Sequence, residues 1–422
     1  MNNENTLLDF EIDAGGKGLG ALPARQRAGE IAQLGWQLLA EDLSLPVAVL
    51  SQRRIEHNLA WMKAFINRYR VQLAPHGKTT MSPQLFRKQL DHGAWGITLA
   101  TAPQAQAAYN HGVRRMLMAN QLVGRGNMAI IARLQHDPEF TFYGIVDSAE
   151  NIAQLGRHFL EADQTLKVLV ELGVNGGRTG ARDEAQEAAL LAEIARWPSL
   201  QLCGIELYEG VLKDEADIRA FLRRAVARCA AWAAEGRFAA GPVLLSGAGS
   251  AWFDIVAEEF CNADIGRPLE VILRPGCYLT HDVGIYKAAE TRIQANNPVA
   301  RDMNRALLPA LQLWAYVTSL PEPGLAIIGL GKRDAAFDAG LPVPALHHRP
   351  GNAAPTPAPE GWALTAMMDQ HAFMAVPIDH GLKVGDMIAF DISHPCLTFD
   401  KWRQLPILDD DYRVVELVQT CF

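Results

Sequence analysis

The chain has 422 residues, more than one ordinary hydrophobic core accommodates, so two domains are the starting expectation. Hydrophobic residues make up 49% and charged residues 20%, a globular composition that excludes a disordered chain. The net charge is −8 and the basic residues are scattered rather than massed, which argues against a nucleic-acid partner.

The opening residues, MNNENTLLDFEID, lack both a basic stretch and an apolar core of the kind that targets a chain for export. No run of about 18 apolar residues follows, so a cytoplasmic protein with no membrane partner is expected. Six cysteines, Cys203, Cys229, Cys261, Cys277, Cys396 and Cys421, are spread without paired CxxC spacing and read as reduced thiols. Cys396 stands apart because it follows a histidine by two positions.

From residue 47 to 285, short aliphatic runs alternate with amphipathic segments, the pattern of repeated βα units around a parallel sheet. Within 51–70, Ile55, Leu59, Met62, Phe65 and Ile66 fall on one helical face. Later helix starts are marked by Ser82-Pro83, Thr101-Ala102-Pro103-Gln104 and Asp147-Ser148-Ala149-Glu150. Strand-like runs are read at 71–74, 96–100, 116–119, 142–146, 167–172, 202–207, 243–246 and 271–273. Eight is the number that closes a (β/α)8 TIM-type barrel.

Beyond about residue 290 the texture changes to alternating hydrophobics with tight turns, as in 311–320, Pro321-Glu322-Pro323-Gly324, 325–329, 362–368, 372–376 and 387–392. This predicts a mainly antiparallel β domain made from 286–422 together with 1–46, while 47–285 forms the barrel. The Pro- and Ala-rich stretch 342–359 reads as a long surface loop.

Pro75-His76-Gly77-Lys78-Thr79-Thr80 follows a barrel strand, so Lys78 projects from the strand end where barrel enzymes place reactive groups. A lysine there is a Schiff-base candidate, and position alone does not separate it from a surface lysine in a βα loop. Gly247-Ala248-Gly249-Ser250 follows another strand and offers backbone N–H groups and a hydroxyl to a phosphate, or simply turns the chain. His394 and Cys396, two apart, face the same way if the segment is an extended strand, and could converge on one metal. A surface histidine beside a buried thiol is the plainer alternative.

In order along the chain stand Pro75-His76-Gly77-Lys78-Thr79, Glu171 to Gly180 (ELGVNGGRTG), Ser246-Gly247-Ala248-Gly249-Ser250, Arg274-Pro275-Gly276-Cys277-Tyr278, Asp369-Gln370-His371 and Ser393-His394-Pro395-Cys396. Taken together these six motifs resemble the D-threonine aldolase and D-serine dehydratase family, fold type III pyridoxal-phosphate enzymes related to alanine racemase.

The resemblance implies that Lys78 carries pyridoxal 5′-phosphate through an imine and, once released, acts as base. An amine is required because only an amine forms and exchanges that bond. It further implies a cofactor site including Gly247, Gly249, Ser250, Gly276, Cys277 and Tyr278, with Tyr208 against the ring, a core tyrosine with a satisfied hydroxyl being the alternative for that residue. Arg178 and Arg274 are left as alternatives for the ring or substrate carboxylate. His371 is the implied acid/base or orienting group, and a structural histidine is its alternative.

A thiolate ligand favours zinc over manganese or magnesium, and histidine-x-cysteine resembles the dehydratases more than the aldolases. The implied activity is therefore dehydration and deamination of a D-β-hydroxy amino acid such as D-serine or D-threonine, giving a 2-oxo acid and ammonia. Retro-aldol cleavage is the first alternative and a non-catalytic cofactor-binding protein the second. A homodimer is implied by the resemblance. Thr80 and Met81 depart from the family pattern, which leaves the pocket wall and substrate side chain open.

Overall fold

The computed structural model describes residues 8–12, 15–22 and 25–422. The opening residues 1–7, in which no export pattern is read, lie outside the described residues.

Eight parallel strands form one sheet: Gln72–Leu73, Ile97–Leu99, Arg115–Gln121, Thr141–Val146, Leu166–Leu172, Leu200–Leu207, Val243–Gly247 and Leu269–Leu273. They pair in chain order, and the first strand also pairs with the last. A parallel bridge between His76 and Thr98 closes the ring. Each of the eight runs read from the sequence corresponds to one of these strands.

Alternation along the strands explains why the runs are continuously apolar. Leu117 and Ala119 belong to the inner cluster with Ile145, Leu169, Leu244 and Ile272, whereas Met116 and Met118 face the helices.

The helix Gln52–Tyr69 shows how local chemistry sets an element. Ser51 Oγ accepts from Arg54 N at 3.4 Å, and Arg70 ends the helix in a left-handed conformation. Its buried face is made by Ile55, Leu59, Met62, Phe65 and Ile66. Asn58, also buried, donates to Leu279 O at 2.9 Å and Leu308 O at 2.8 Å, and accepts from Leu308 N at 2.8 Å. One side chain thus ties the end of the barrel to the start of the second domain.

The second sheet has ten strands and is mainly antiparallel. Its spine runs Val343–His348, Met387–Asp391, Leu311–Glu322, Val47–Ser51, Gln404–Leu408 and Val414–Gln419. The hairpin of Leu311–Glu322 with Leu325–Ile328 turns at Pro323-Gly324, where Gly324 has φ +84°. The N-terminal segment joins this sheet through Ile12, Leu19, Ile31, Trp36 and Leu38, which pack on Val47, Trp314 and Met387.

Two readings need correction. Val47–Ser51, grouped with the barrel by its position, belongs to the second sheet, where it pairs with Leu311–Glu322 and with Gln404–Leu408, as in Val47 with Trp314 and Leu50 with Ile407. The stretch 342–359 is not all loop, because Val343–His348 pairs with Met387–Asp391 and with Thr356–Pro357. Pro344 lies at a register irregularity, which spares the ladder the N–H that proline lacks.

Candidate active site

A cavity of about 480 Å³ opens at the C-terminal end of the barrel strands, where the second domain closes over it. Lys78 lines it from the short turn Gly77–Thr79 that follows the first barrel strand. A Cβ at Gly77 would fall 2.8 Å from Ile97 Cγ2 and from Phe86 Cε1, so glycine lets this turn pack close and aim the lysine into the cavity. His76 beside it is held neutral, because burial and then the positive Lys78, Arg274 and Arg178 push its pKa well down.

The structure gives the two arginines different surroundings. Arg274 is buried, ion-paired with Glu206, and donates to Leu207 O at 2.9 Å. Burial raises the Glu206 pKa, and the Arg274 charge opposes that rise. Arg178 is exposed to the cavity and lies 5.0 Å from the centre of the Tyr208 ring. Arg274 is thus a fixed, buried charge, whereas Arg178 is an exposed charge at the side.

The loops after the strands Val243–Gly247 and Leu269–Leu273 meet across the cavity. Cys277 N donates to Ser250 Oγ at 3.1 Å, joining them. A Cβ at Gly249 would fall 2.8 Å from Tyr208 Cε2, and one at Gly276 would fall 2.5 Å from His76 O. Both positions therefore require glycine for the backbone to approach this closely.

The amides of Ala248 and Gly249 are not free for a ligand. They donate to the buried Glu209 carboxylate at 3.0 and 2.7 Å. Ser250, Gly276 and Cys277 remain on the cavity wall. Gly247 is the last residue of its strand and is buried behind that wall. Tyr278 also points away: the turn Cys277–Leu279 directs its ring into the core, where Gln89 donates to its hydroxyl at 3.3 Å.

His394 and Cys396 reach the same cavity from the second domain. They are not on a strand as read from the sequence. The strand ends at Asp391, Pro395 has helical angles, and Cys396 opens the single turn Cys396–Phe399. The two side chains converge through that turn rather than through strand alternation. His394 Nδ1 donates to Asp338 Oδ2 at 2.7 Å, and the ring is also hydrogen-bonded to the Cys396 side chain.

Cys396 Sγ lies 3.7 Å from Cys277 Sγ and 3.5 Å from Thr79 Oγ1. The hydrogen bond from Cys277, with help from His394, holds the Cys396 thiol pKa well down against burial, while the same bond pushes Cys277 well up. Among the described residues, no three histidine, cysteine, aspartate or glutamate side chains already surround a common metal position.

His371 is not part of this cavity. It sits exposed at the corner between Ala363–Met367 and Ala372–Ala375, where its carbonyl accepts from Met368 N at 2.8 Å. Several residues of the site were not singled out from the sequence: Glu206, Glu209, Thr79, Tyr286 and Asp338. An acidic residue inside an otherwise apolar barrel strand was a usable signal for Glu206. Asp338, 56 residues from His394, carried none.

Two family models match the chain. The model described as "Alanine racemase, N-terminal domain" covers residues 50–268, and the one described as "Putative serine dehydratase domain" covers 310–408. A D-threonine aldolase from Arthrobacter sp. is 27% identical over 86% of this chain and 89% of its own. A D-threo-3-hydroxyaspartate dehydratase from Delftia sp. (strain HT23) is 30% identical over 36% of this chain and 40% of its own.

Among solved structures, the D-threonine aldolase from Filomicrobium marinum superposes with a TM-score of 0.74 at 23% identity, covering 92% of this chain and 97% of its own. The Delftia sp. HT23 dehydratase gives 0.71 at 20% identity, covering 91% and 99%. The chain therefore belongs to the D-threonine aldolase and D-serine dehydratase family of fold type III pyridoxal-phosphate enzymes, an alanine racemase N-terminal domain joined to a serine dehydratase-type domain.

Proposed function

We propose that the chain is a pyridoxal-phosphate- and zinc-dependent lyase that converts D-β-hydroxy amino acids to a 2-oxo acid and ammonia. The observation that carries this reading is that Lys78, from the barrel, and the pair His394 and Cys396, from the other domain, line one cavity.

The residues fit both groups. For the cofactor there is an amine at Lys78, a fixed guanidinium at Arg274 and close-approaching backbone at Gly249 and Gly276. Ser250 and Cys277 bring the two phosphate-side loops together. For the metal there is a thiol, and an imidazole whose far nitrogen is oriented by a carboxylate, the arrangement that protein zinc sites use. When bound, the cofactor supplies an electron sink at the substrate Cα and the zinc supplies Lewis acidity at the β-hydroxyl.

The chain's own residues then have defined tasks. Lys78 Nζ takes the proton from Cα, and its place on a packed turn keeps it near that carbon. Arg178 is free to meet the substrate carboxylate, whereas Arg274, engaged by Glu206 and Leu207, holds the cofactor in register. Elimination releases one water and the later hydrolysis consumes one, so the net products are the 2-oxo acid and ammonia.

Thiolate chemistry favours this reading over the aldolase. Solved structures of D-threo-3-hydroxyaspartate dehydratase include alanine variants of a histidine and of a cysteine two positions later in number, the second in a metal-free form. That spacing is the spacing of His394 and Cys396. The aldolase reading is supported by the length of the match to the Arthrobacter enzyme. D-threonine decides between them: 2-oxobutanoate with ammonia supports the dehydratase, and glycine with acetaldehyde refutes it. Absence of turnover on any D-β-hydroxy amino acid with zinc present would leave a cofactor-binding protein. A homodimer belongs to the same proposal, and a monomer mass in sedimentation equilibrium would refute it.

A further inference from the structure

We propose that Cys277 is a third protein ligand of the metal, giving a centre of two thiolates and one imidazole with its fourth position open to the substrate oxygen. This rests on the metal-dependent reading above and adds a ligand to it.

The distance between Cys277 Sγ and Cys396 Sγ is 3.7 Å. Two sulfurs bound to one tetrahedral zinc, each at about 2.3 Å, stand about 3.8 Å apart. The thiols are therefore already at the spacing the metal imposes, although 119 residues separate them in the chain.

Their positions are set independently. Cys277 is 4% exposed and opens the turn after the last barrel strand, with its amide anchored on Ser250 Oγ. Cys396 opens the one-turn helix of the other domain. Thr79 Oγ1 lies 3.8 Å from the first sulfur and 3.5 Å from the second, placing one hydroxyl beside both.

The third donor is His394 Nε2, since Asp338 engages Nδ1. The three groups do not yet surround a common point, so they must close on the metal as it binds. Zinc displaces the thiol protons to solvent as it binds. Two thiolates and one imidazole also occur with an open fourth position in catalytic zinc sites, and this soft donor set disfavours manganese and magnesium.

Zinc-edge X-ray absorption on the cofactor-loaded protein counts the sulfurs directly. The expected result is two sulfurs per zinc in the wild type and one in Cys277→Ser, with zinc affinity in chelator competition reduced at least roughly tenfold. One sulfur per zinc in the wild type overturns the third ligand and leaves the metal-dependent reading intact. No retained zinc in the wild type overturns that reading itself. A disulfide between Cys277 and Cys396 in the zinc-loaded protein, found by peptide mass mapping, also overturns the inference. The wild-type count decides even if the serine variant does not fold.

Discussion

Replacing Glu209 by alanine removes the acceptor that holds the loop beginning at Ala248. In the native structure the carboxylate is fully buried and takes the Ala248 and Gly249 amides at 3.0 and 2.7 Å. Ala248 has φ +82°, a left-handed conformation that costs a non-glycine residue about 1 kcal/mol or more and needs surrounding contacts to persist. The buried Ala248 amide left without a partner costs about 1–3 kcal/mol, whereas the Gly249 amide, part-buried on the cavity wall, can bond water, so Glu209→Ala is expected to lose about 1–3 kcal/mol of stability.

Part of that loss should appear at the cofactor, because Ser250 follows in the same loop. A loop destabilised by about 1.4 kcal/mol in its binding geometry weakens cofactor affinity tenfold. Urea unfolding measures the first effect, and absorbance titration of the apoprotein with pyridoxal phosphate measures the second. Glu209→Gln should retain one acceptor and fall between the two proteins.

The same residue gives a pH signature. Burial raises the Glu209 pKa above its ordinary value of 4.5. A carboxyl raised on folding contributes most at pH below its unfolded pKa, and that contribution is lost as pH rises towards the folded value. The stability of the wild type relative to Glu209→Gln should therefore decline with rising pH above about 4.5. Unchanged unfolding midpoint and cofactor affinity in Glu209→Ala would refute the reasoning.

Three further outcomes are expected. Lys78→Ala should abolish turnover and the visible chromophore, and borohydride reduction of the wild type should label Lys78 in peptide mass mapping; label elsewhere would refute its role. Gly276→Ala should weaken cofactor binding, since the new methyl would stand 2.5 Å from His76 O and 2.7 Å from Thr79 Oγ1, and wild-type affinity in the absorbance titration would contradict this. Asp338→Ala should lower zinc affinity roughly 10–100-fold by freeing the imidazole, while leaving cofactor absorbance unchanged. Chelator competition giving wild-type zinc affinity would show that the carboxylate does not orient a ligand.

The barrel was legible because its strands are buried on both faces and therefore read as unbroken apolar runs, each separated from the next by an amphipathic segment. Lys78, Ser250, Cys277 and Cys396 were legible as motifs at strand ends, and the structure puts them on one cavity wall. Local conformation was less accessible. His394 and Cys396 converge through a helical turn, which Pro395 favours by its fixed φ, and a two-residue spacing alone does not distinguish that from a strand.

Tyr278 shares a motif with cavity residues yet points elsewhere, because one turn of backbone sends neighbouring side chains to opposite sides, and Gly247, which ends its strand, lies behind the wall. Val343–His348 was hidden by the proline and alanine around it. Its pairing depends on Met387–Asp391, a partner some forty residues away that composition does not reveal. Asp338 and Glu209 act through contacts of the same long-range kind.

Asn58 has a consequence for anyone dividing this chain. It bonds the backbone at Leu279 on one side and at Leu308 on the other, so cutting between the halves would strand a primary amide in an oily interior. An isolated barrel fragment would keep its lysine but lose this clasp, along with the imidazole and thiol delivered by the far half. The two halves are thus a single mechanical unit, and recombinant swaps with related sequences should exchange Asn58 and the 279–308 segment together.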